Sequence, residues 1–241
     1  MAACIAALAQ AGQEEAVKYY TFKSGRAHYH VVVADLANKD LSVETVLSKR
    51  AKSFWDLAKP DVPTIAMTGT FFNPADSQPV GDVIIDGERV AKGSRGSVFA
   101  IDWEGRPHIF DTGFNRSWNY IDYRFALRAA VRLIRDGKVC PDPRAQKFRD
   151  PRIWGRASRT AAGITDDGRL VLMATRSGVT LRELGNAMLT RNVENAVNLD
   201  GGSSTALMVR GSVKIAPSRK LSNLVVLRDR SPMSAQVATL R

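Results

Sequence analysis

A strand-rich α+β domain, with mixed sheets covered by a few helices, is the fold class that the sequence predicts. Three observations lead to it. Short β-branched runs bounded by Gly, Asp and Asn recur along most of the chain, Asp-Gly and Glu-Gly pairs punctuate them as hairpin turns, and helical periodicity is confined to a few stretches.

Taken in order, residues 28–36 read as a strand, because His28-Tyr29-His30 leads into the apolar run Val31-Val32-Val33-Ala34. Residues 41–57 carry Val43, Val46, Leu47, Phe54 and Leu57 near helical period and stop before Pro60, which predicts a covering helix. Residues 64–68 form a buried strand that opens into Gly69-Thr70-Phe71-Phe72-Asn73-Pro74, with Phe72 expected in the core and Phe71 left open. Residues 83–85 and 88–90 pair across Asp86-Gly87, and residues 97–101 pair with 108–110 across Glu104-Gly105. Residues 127–134 fit helix and strand alike. Residues 160–164 pair with 170–174 across Asp166-Asp167-Gly168, leaving Arg159 at one end of a hairpin. Thr180-Leu181-Arg182-Glu183 has the form of a capping box and starts a helix running to about Thr190. Residues 196–199, 205–209, 213–215 and 224–227 supply the remaining strands.

At 241 residues and 44% apolar content, the chain suits one folded domain over 21–241, preceded by an N-terminal segment over 1–20. That segment opens with small apolar residues and ends Ala9-Gln10-Ala11 before Gly12, like a secretory cleavage site, but lacks a charged start. It reads either as a clipped signal remnant, which places the protein outside the cytoplasm as a secreted, periplasmic or cell-envelope protein, or as an ordinary helix. No run reaches the roughly 18 apolar residues that span a bilayer. Cys4 and Cys140 are too few for a disulfide framework. Nothing in the residues fixes an oligomeric state.

The net charge of +11 favours an anionic partner. Its basic residues are scattered from Arg124 to Arg159 with no aromatic stacking motif or nucleic-acid fold signature interleaved, so no nucleic acid is expected, although the middle third is a plausible anion-facing side. His28 and His30 share a strand face but lack a third ligand at a recognised spacing, so no metal site is assigned.

The chemistry concentrates in Asn198-Leu199-Asp200-Gly201-Gly202-Ser203-Ser204-Thr205, where a short apolar strand ends in a carboxylate, two glycines and three hydroxyls. Such a segment is either a tight turn or a site in which main-chain amides approach an anion beside an acid that handles protons.

Gly69-Thr70-Phe71-Phe72 before Gly81-Asp82-Val83-Ile84, Arg159-Thr160-Ala161-Ala162-Gly163, Asp167-Gly168-Arg169-Leu170, Gly178-Val179-Thr180-Leu181-Arg182-Glu183-Leu184 and the Asn198–Ser204 segment, in that order, resemble the phosphodiester glycosidase family. The resemblance covers roughly residues 67–227. Thr68 and Thr70 stand where the family's Asn-Gly-Gly places Asn and Gly, Ser203 replaces a third glycine, and a glycine-rich strand is absent near Arg128-Ala129-Ala130. The first change implies a lost side-chain amide contact.

This resemblance implies hydrolysis of a sugar-1-phosphodiester or a related glycan. On that reading Asp200 is the catalytic acid or base, with Asp82 as the second carboxylate. Arg159, Thr160, Gly69, Asn198, Gly201, Gly202, Ser203 and Ser204 bind substrate, and Arg159 with the Gly201-Gly202 amides holds phosphate. Arg159 read alone also fits a surface ion pair. Asp167 and Asp86 are turn residues, and Glu183 is a helix cap. Ser204 and Thr205 lack a histidine that would make either a nucleophile. No cofactor is required, and a divalent cation beside Asp200 stays open. The alternative is a noncatalytic module that binds anionic cell-envelope glycans.

Overall fold

Strands in this chain follow the two-residue alternation of side chains that buries one face of each run against a layer and turns the other toward a second layer. The structure is a computed structural model that describes residues 15–113 and 116–231, with side chains at 129 and 130 left out. The expectations for the segment over 1–20 up to residue 14, and for Cys4, lie outside the described residues.

In chain order the strands are β1 (Val17–Ser24), β2 (Ala27–Ala34), β3 (Leu41–Lys52), β4 (Ile65–Thr68), β5 (Val83–Ile85), β6 (Glu88–Ala91), β7 (Ser97–Asp102) and β8 (Pro107–Asp111). They continue with β9 (Tyr123–Arg135), β10 (Lys138–Val139), β11 (Ala157–Thr165), β12 (Leu170–Val179), β13 (Val193–Asn198), β14 (Leu207–Val209), β15 (Ser212–Ile215) and β16 (Leu221–Asp229). The helices are α1 (Phe54–Ala58), α2 (Pro151–Trp154) and α3 (Leu181–Leu189).

A large sheet runs β1-β2-β12-β11-β13-β9-β5-β6, with β7, β8 and β10 attached through β9, and a smaller one runs β15-β14-β4-β16-β3. Their facing sides share one core, in which Val32, Ala162, Leu170, Leu172, Ala174 and Val197 meet Val43, Ile65, Met67, Leu207, Val225 and Leu227. The other face of the large sheet carries Val31, Ala161, Val171 and Met173, covered by Leu181, Leu184, Ala187 and Met188 of α3. The outer face of the small sheet carries Ala66, Met208, Leu224 and Val226, covered by Phe54, Leu57 and Ala58 of α1. The result is a strand-rich α+β sandwich of two sheets between helices, as the sequence predicts, but the sheets are not mixed: every pairing among the described strands is antiparallel.

The expected helix over 41–57 is instead β3 followed by the five-residue α1. Leu41, Val43 and Thr45 are buried in alternation with partly exposed Ser42, Glu44 and Val46, a strand pattern, and β3 pairs with β16 along most of its length. Helix starts only at Ser53, whose hydroxyl accepts from the Asp56 amide. The ambiguous run over 127–134 is strand, part of the thirteen-residue β9. β1 has no counterpart in the sequence reading. α3 begins at the predicted capping box, with Thr180 and Glu183 bonded reciprocally, and Phe72 is buried as expected.

Two chain crossings between the sheets define one rim. β13 of the large sheet passes through Leu199, Asp200 and a 3-10 turn at Gly202–Ser204 into β14 of the small sheet. β4 of the small sheet passes through Gly69-Thr70-Phe71 toward β9, whose Arg128 carbonyl accepts from the Thr70 hydroxyl.

Candidate active site

The two crossings are bonded to each other, since the Asp200 amide donates to the Gly69 carbonyl at 2.9 Å. The Thr68 hydroxyl donates to the Ser204 carbonyl and the Thr160 hydroxyl donates to the Asp200 carbonyl. Thr68 therefore ties β4 to the glycine-rich turn through its hydroxyl. An amide side chain is also present at this junction, contributed by β16: Asn223 accepts from the Thr70 amide at 2.7 Å and donates to the Thr70 carbonyl at 3.1 Å. A Cβ at Gly69 would collide with the Asn223 side chain, which explains the glycine at that position.

Gly201 is required by space. Its backbone is extended, but a Cβ there would lie 2.7 Å from the Ser158 carbonyl oxygen and 3.5 Å from the Arg159 Cα. The diglycine bend is thus packed on the backbone of β11, and Arg159, Thr160, Gly69, Asp200 and Gly201 converge on one rim. Gly202 has φ of +59° with open space around its Cβ position. Gly201→Ala is expected to cost about 1–3 kcal/mol, because neither backbone can yield, whereas Gly202→Ala bears only the left-handed penalty of about 1 kcal/mol. Urea unfolding of the two variants checks the order.

The Asp200 carboxyl is buried, and burial is the main cause of a pKa raised to about 6. Hydrogen bonds from the Ser204 side chain and the Gly201 amide, and then the charges of Arg219 and Arg152, oppose that rise. Asp200 therefore changes charge close to neutrality while held by donors on its own loop, the behaviour required of an acid or base. Its field comes from two arginines that the sequence reading did not select. Arg152 lies in α2, where Asp150 caps the helix start, Pro151 follows, and Asp150 also pairs with Arg152 at 2.7 Å. Arg219 stacks over the Phe72 ring at 4.6 Å. The Asp-Pro pair was a legible helix-start signal for Arg152; no sequence signal marks Arg219.

Arg159 reaches the rim through its backbone, but its guanidinium turns to the α3 side of the large sheet. It donates to the carbonyls of Ile153 at 3.0 Å, Gly155 at 2.6 Å, Arg152 at 3.3 Å and Val179 at 3.4 Å. The group is buried, and that desolvation lowers its pKa to about 10, which leaves it cationic at neutral pH. Strand alternation accounts for the direction: Thr160 faces Asp200, so its neighbour points away.

Asp82 is buried among donors, accepting from the Trp118 indole at 2.8 Å, Arg128 at 3.2 Å and the Gly93 amide at 3.2 Å. Arg128 also bonds the carbonyls of Gly93, Arg116 and Gly113, fastening loops around the β9 end of the rim. Among the described residues no hydrogen bond joins Asp82 to Asp200.

Asn198 donates to the Leu199 carbonyl at 2.6 Å, while its Oδ1 is buried without a partner among the described residues, as is the Thr205 hydroxyl. Ser203 is exposed, and its carbonyl accepts from the Ser218 amide at 2.9 Å, which ties the Arg219 loop to the turn. His30 bonds the Tyr19 hydroxyl at 2.8 Å and meets His28 edge to face, and the described residues hold no cluster of three His, Cys, Asp or Glu. No helix among them is long and apolar enough to cross a membrane.

Comparison with known proteins matches a phosphodiester glycosidase family model to residues 62–228. Among curated proteins, N-acetylglucosamine-1-phosphodiester alpha-N-acetylglucosaminidase from Bos taurus is 29% identical over 191 residues, covering 71% of this chain and 36% of that protein. The Mus musculus protein of the same name is 27% identical over 190 residues, covering 70% and 36%. The chain thus spans about a third of the length of these relatives. Among solved structures, the zebrafish catalytic domain of that name, auto-inhibited by its pro-peptide, superposes with a TM-score of 0.72 at 19% identity, covering 89% of this chain and 82% of that one. A Burkholderia pseudomallei protein described as a candidate exported protein gives a TM-score of 0.63 at 14% identity, over 84% and 74% of the two chains. At these identities the two likenesses show the fold.

Proposed function

The chain belongs to the phosphodiester glycosidase family, and on that premise we propose that it hydrolyses a sugar-1-phosphodiester or a closely related glycan at the Asp200 rim. The observation that carries this reading is a buried carboxyl with a pKa near 6, set beside a diglycine turn and in the field of two arginines.

Hydrolysis at the anomeric carbon needs a held phosphate, a positioned sugar and a deprotonated water. A departing phosphate ester is weakly basic and leaves as an anion, so the proton to be managed is that of the attacking water. Asp200 is accordingly the general base. The Gly202 amide and the exposed Ser203 hydroxyl hold phosphate, with Arg152 and Arg219 as its cations, while the Gly201 amide and the Ser204 hydroxyl, both bonded to the Asp200 carboxyl, hold the base in place. Arg159 serves this clamp from behind by fixing α2, and Thr160 and Gly69 fix the loop that carries Asp200. Asn198 Oδ1 and the Thr205 hydroxyl, both buried without partners among the described residues, supply groups that sugar hydroxyls satisfy. Asp82 stands in this scheme as the acid that holds Arg128 and the β9 side of the rim.

The folded domain, expected over 21–241 and extended upstream to Val17 by β1, is the catalytic unit in this reading. An extracytoplasmic location agrees with the small-residue site before Gly12 and with the candidate exported protein that shares the fold. Sugar release from a panel of glycosyl phosphodiesters tests the function. Turnover by the wild type that disappears in Asp200→Asn supports hydrolysis. Salt-sensitive binding of anionic glycans without turnover across the panel instead supports the noncatalytic module.

A further inference from the structure

Behind α2 a cleft of about 280 Å³ opens, lined by Asp142, Arg144, Trp154, Thr180, Leu181 and Arg182. Arg152, whose charge reaches Asp200, and Trp154, which lines the cleft, are two residues apart on α2 and so project about 200° apart around the helix. The Arg159 guanidinium, bonded to the carbonyls of Arg152, Ile153 and Gly155, holds this dividing ridge in place.

The chemistry of the cleft is specific. Trp154 is 36% exposed, and the Arg144 guanidinium lies 4.3 Å from the centre of its ring. Arg182 is a second cation on the same wall, and neither arginine is in an ion pair among the described residues, whereas Arg156 and Arg152 beside them are paired with Glu183 and Asp150. The start of α3 is closed by its own capping box, so an anion here is met by guanidinium groups. Asp142 is the one carboxylate in the lining, and it accepts from the Ala145 amide. Arg144 covers one face of the indole, so the sugar is received along the part of Trp154 that stays exposed, and the Arg144 and Arg182 guanidinium groups receive a phosphate or carboxylate on that sugar.

We propose that this cleft is a second subsite, which binds the sugar unit next to the one cleaved, and that the substrate is an anionic glycan long enough to pass over α2. The inference rests on the hydrolase reading of the Asp200 rim and deepens it by naming the substrate class. A single glycosyl phosphodiester occupies only the rim, whereas a chain with an anionic group on the neighbouring sugar occupies both sides of the ridge.

The test compares a single-sugar glycosyl phosphodiester with an oligomer of glycosyl phosphate repeats of the same linkage, using the full chain and the variants Trp154→Ala and Arg182→Ala. Both residues lie on the surface of the cleft, and thermal unfolding confirms that each variant is folded. The KM for the oligomer is expected to rise about tenfold in each variant, with kcat and the KM for the single-sugar diester within about twofold of wild type. An unchanged oligomer KM in Trp154→Ala, or an equal rise for both substrates, overturns the subsite. If the wild type cleaves neither compound, the hydrolase reading fails separately, and calorimetric titration of the oligomer then decides the cleft. Binding weakened about tenfold in Trp154→Ala sustains it, and equal binding or none overturns it.

Discussion

Asp200→Asn is expected to lower kcat/KM for a glycosyl phosphodiester by roughly 10²–10⁴-fold, the usual worth of a positioned general base. Wild-type kcat/KM should rise with pH through about 6, where the buried carboxyl ionises, and this limb should vanish in the variant. The same substitution is expected to stabilise the fold at neutral pH. The Asp200 pKa of about 6 in the folded chain exceeds its ordinary value of 3.8, so between these values the folded state holds more protons than the unfolded one. Stability attributable to this group therefore falls as pH rises from about 4 to about 6, and a cost of at most about 3 kcal/mol is present in full above that. Asparagine carries no charge to desolvate and retains an oxygen for the Gly201 amide. Thermal unfolding of wild type and variant should show a higher Tm for Asp200→Asn at pH 7.5 and convergence of the two near pH 4. Equal activity, or a variant less stable at pH 7.5 than at pH 4 relative to wild type, would refute the assignment.

Arg159→Ala is expected to cost about 10²-fold in kcat/KM, the scale of a small displacement at the reacting centre. The route is through α2. Its guanidinium is the shared donor for the carbonyls of Arg152, Ile153, Gly155 and Val179. Removing it frees the ridge that holds Arg152 toward Asp200 and divides the rim from the Trp154 cleft. Its net effect on stability is smaller than on activity, because the lost bonds are offset by relief of a buried cation that has no carboxylate in contact with it among the described residues. Arg159→Lys should not restore activity, since one ammonium cannot span carbonyls that a planar fork reaches together. Hydrogen exchange separates this role from direct phosphate binding: amides over 152–156 should exchange faster in Arg159→Ala without substrate. Unchanged exchange with lost activity would instead make Arg159 itself the anion contact.

The sequence carried the hairpins and the α3 start, because those depend on local signals: Asp-Gly turns and a capping box. That the Arg159-Thr160 backbone lies beside the diglycine turn was implied only by the family resemblance, and the Arg159 guanidinium, expected to face that turn, points away from it. β3 was misread because apolar residues at 43, 46, 47, 54 and 57 satisfy a helical template, whereas the pairing with β16 that makes them strand is long-range. β1 was missed because its eight residues are largely half-buried polar and aromatic positions without an apolar run, held by register with β2. In the site, the motif located Asp200 but not its cations. Arg152 and Arg219 come from segments 48 residues before it and 19 after it, and only the closure of the sheets brings them to one carboxyl. The direction of Arg159 follows from strand parity once Thr160 is known to face Asp200, a fact set by the fold. Asp82 was expected as the second carboxylate, but its bonds are taken up by Trp118, Arg128 and Gly93, which lie in three different segments and are not foreshadowed by any local signal.

A crystal structure of Asp200→Asn with an uncleaved glycosyl phosphodiester is the most direct measurement. The phosphate is expected at the Gly202 amide of the diglycine turn, between Arg152 and Arg219, with the anomeric carbon facing the side chain at position 200. A phosphate seated away from the diglycine turn and from both arginines, with position 200 out of reach of the sugar, would contradict this assignment of the site.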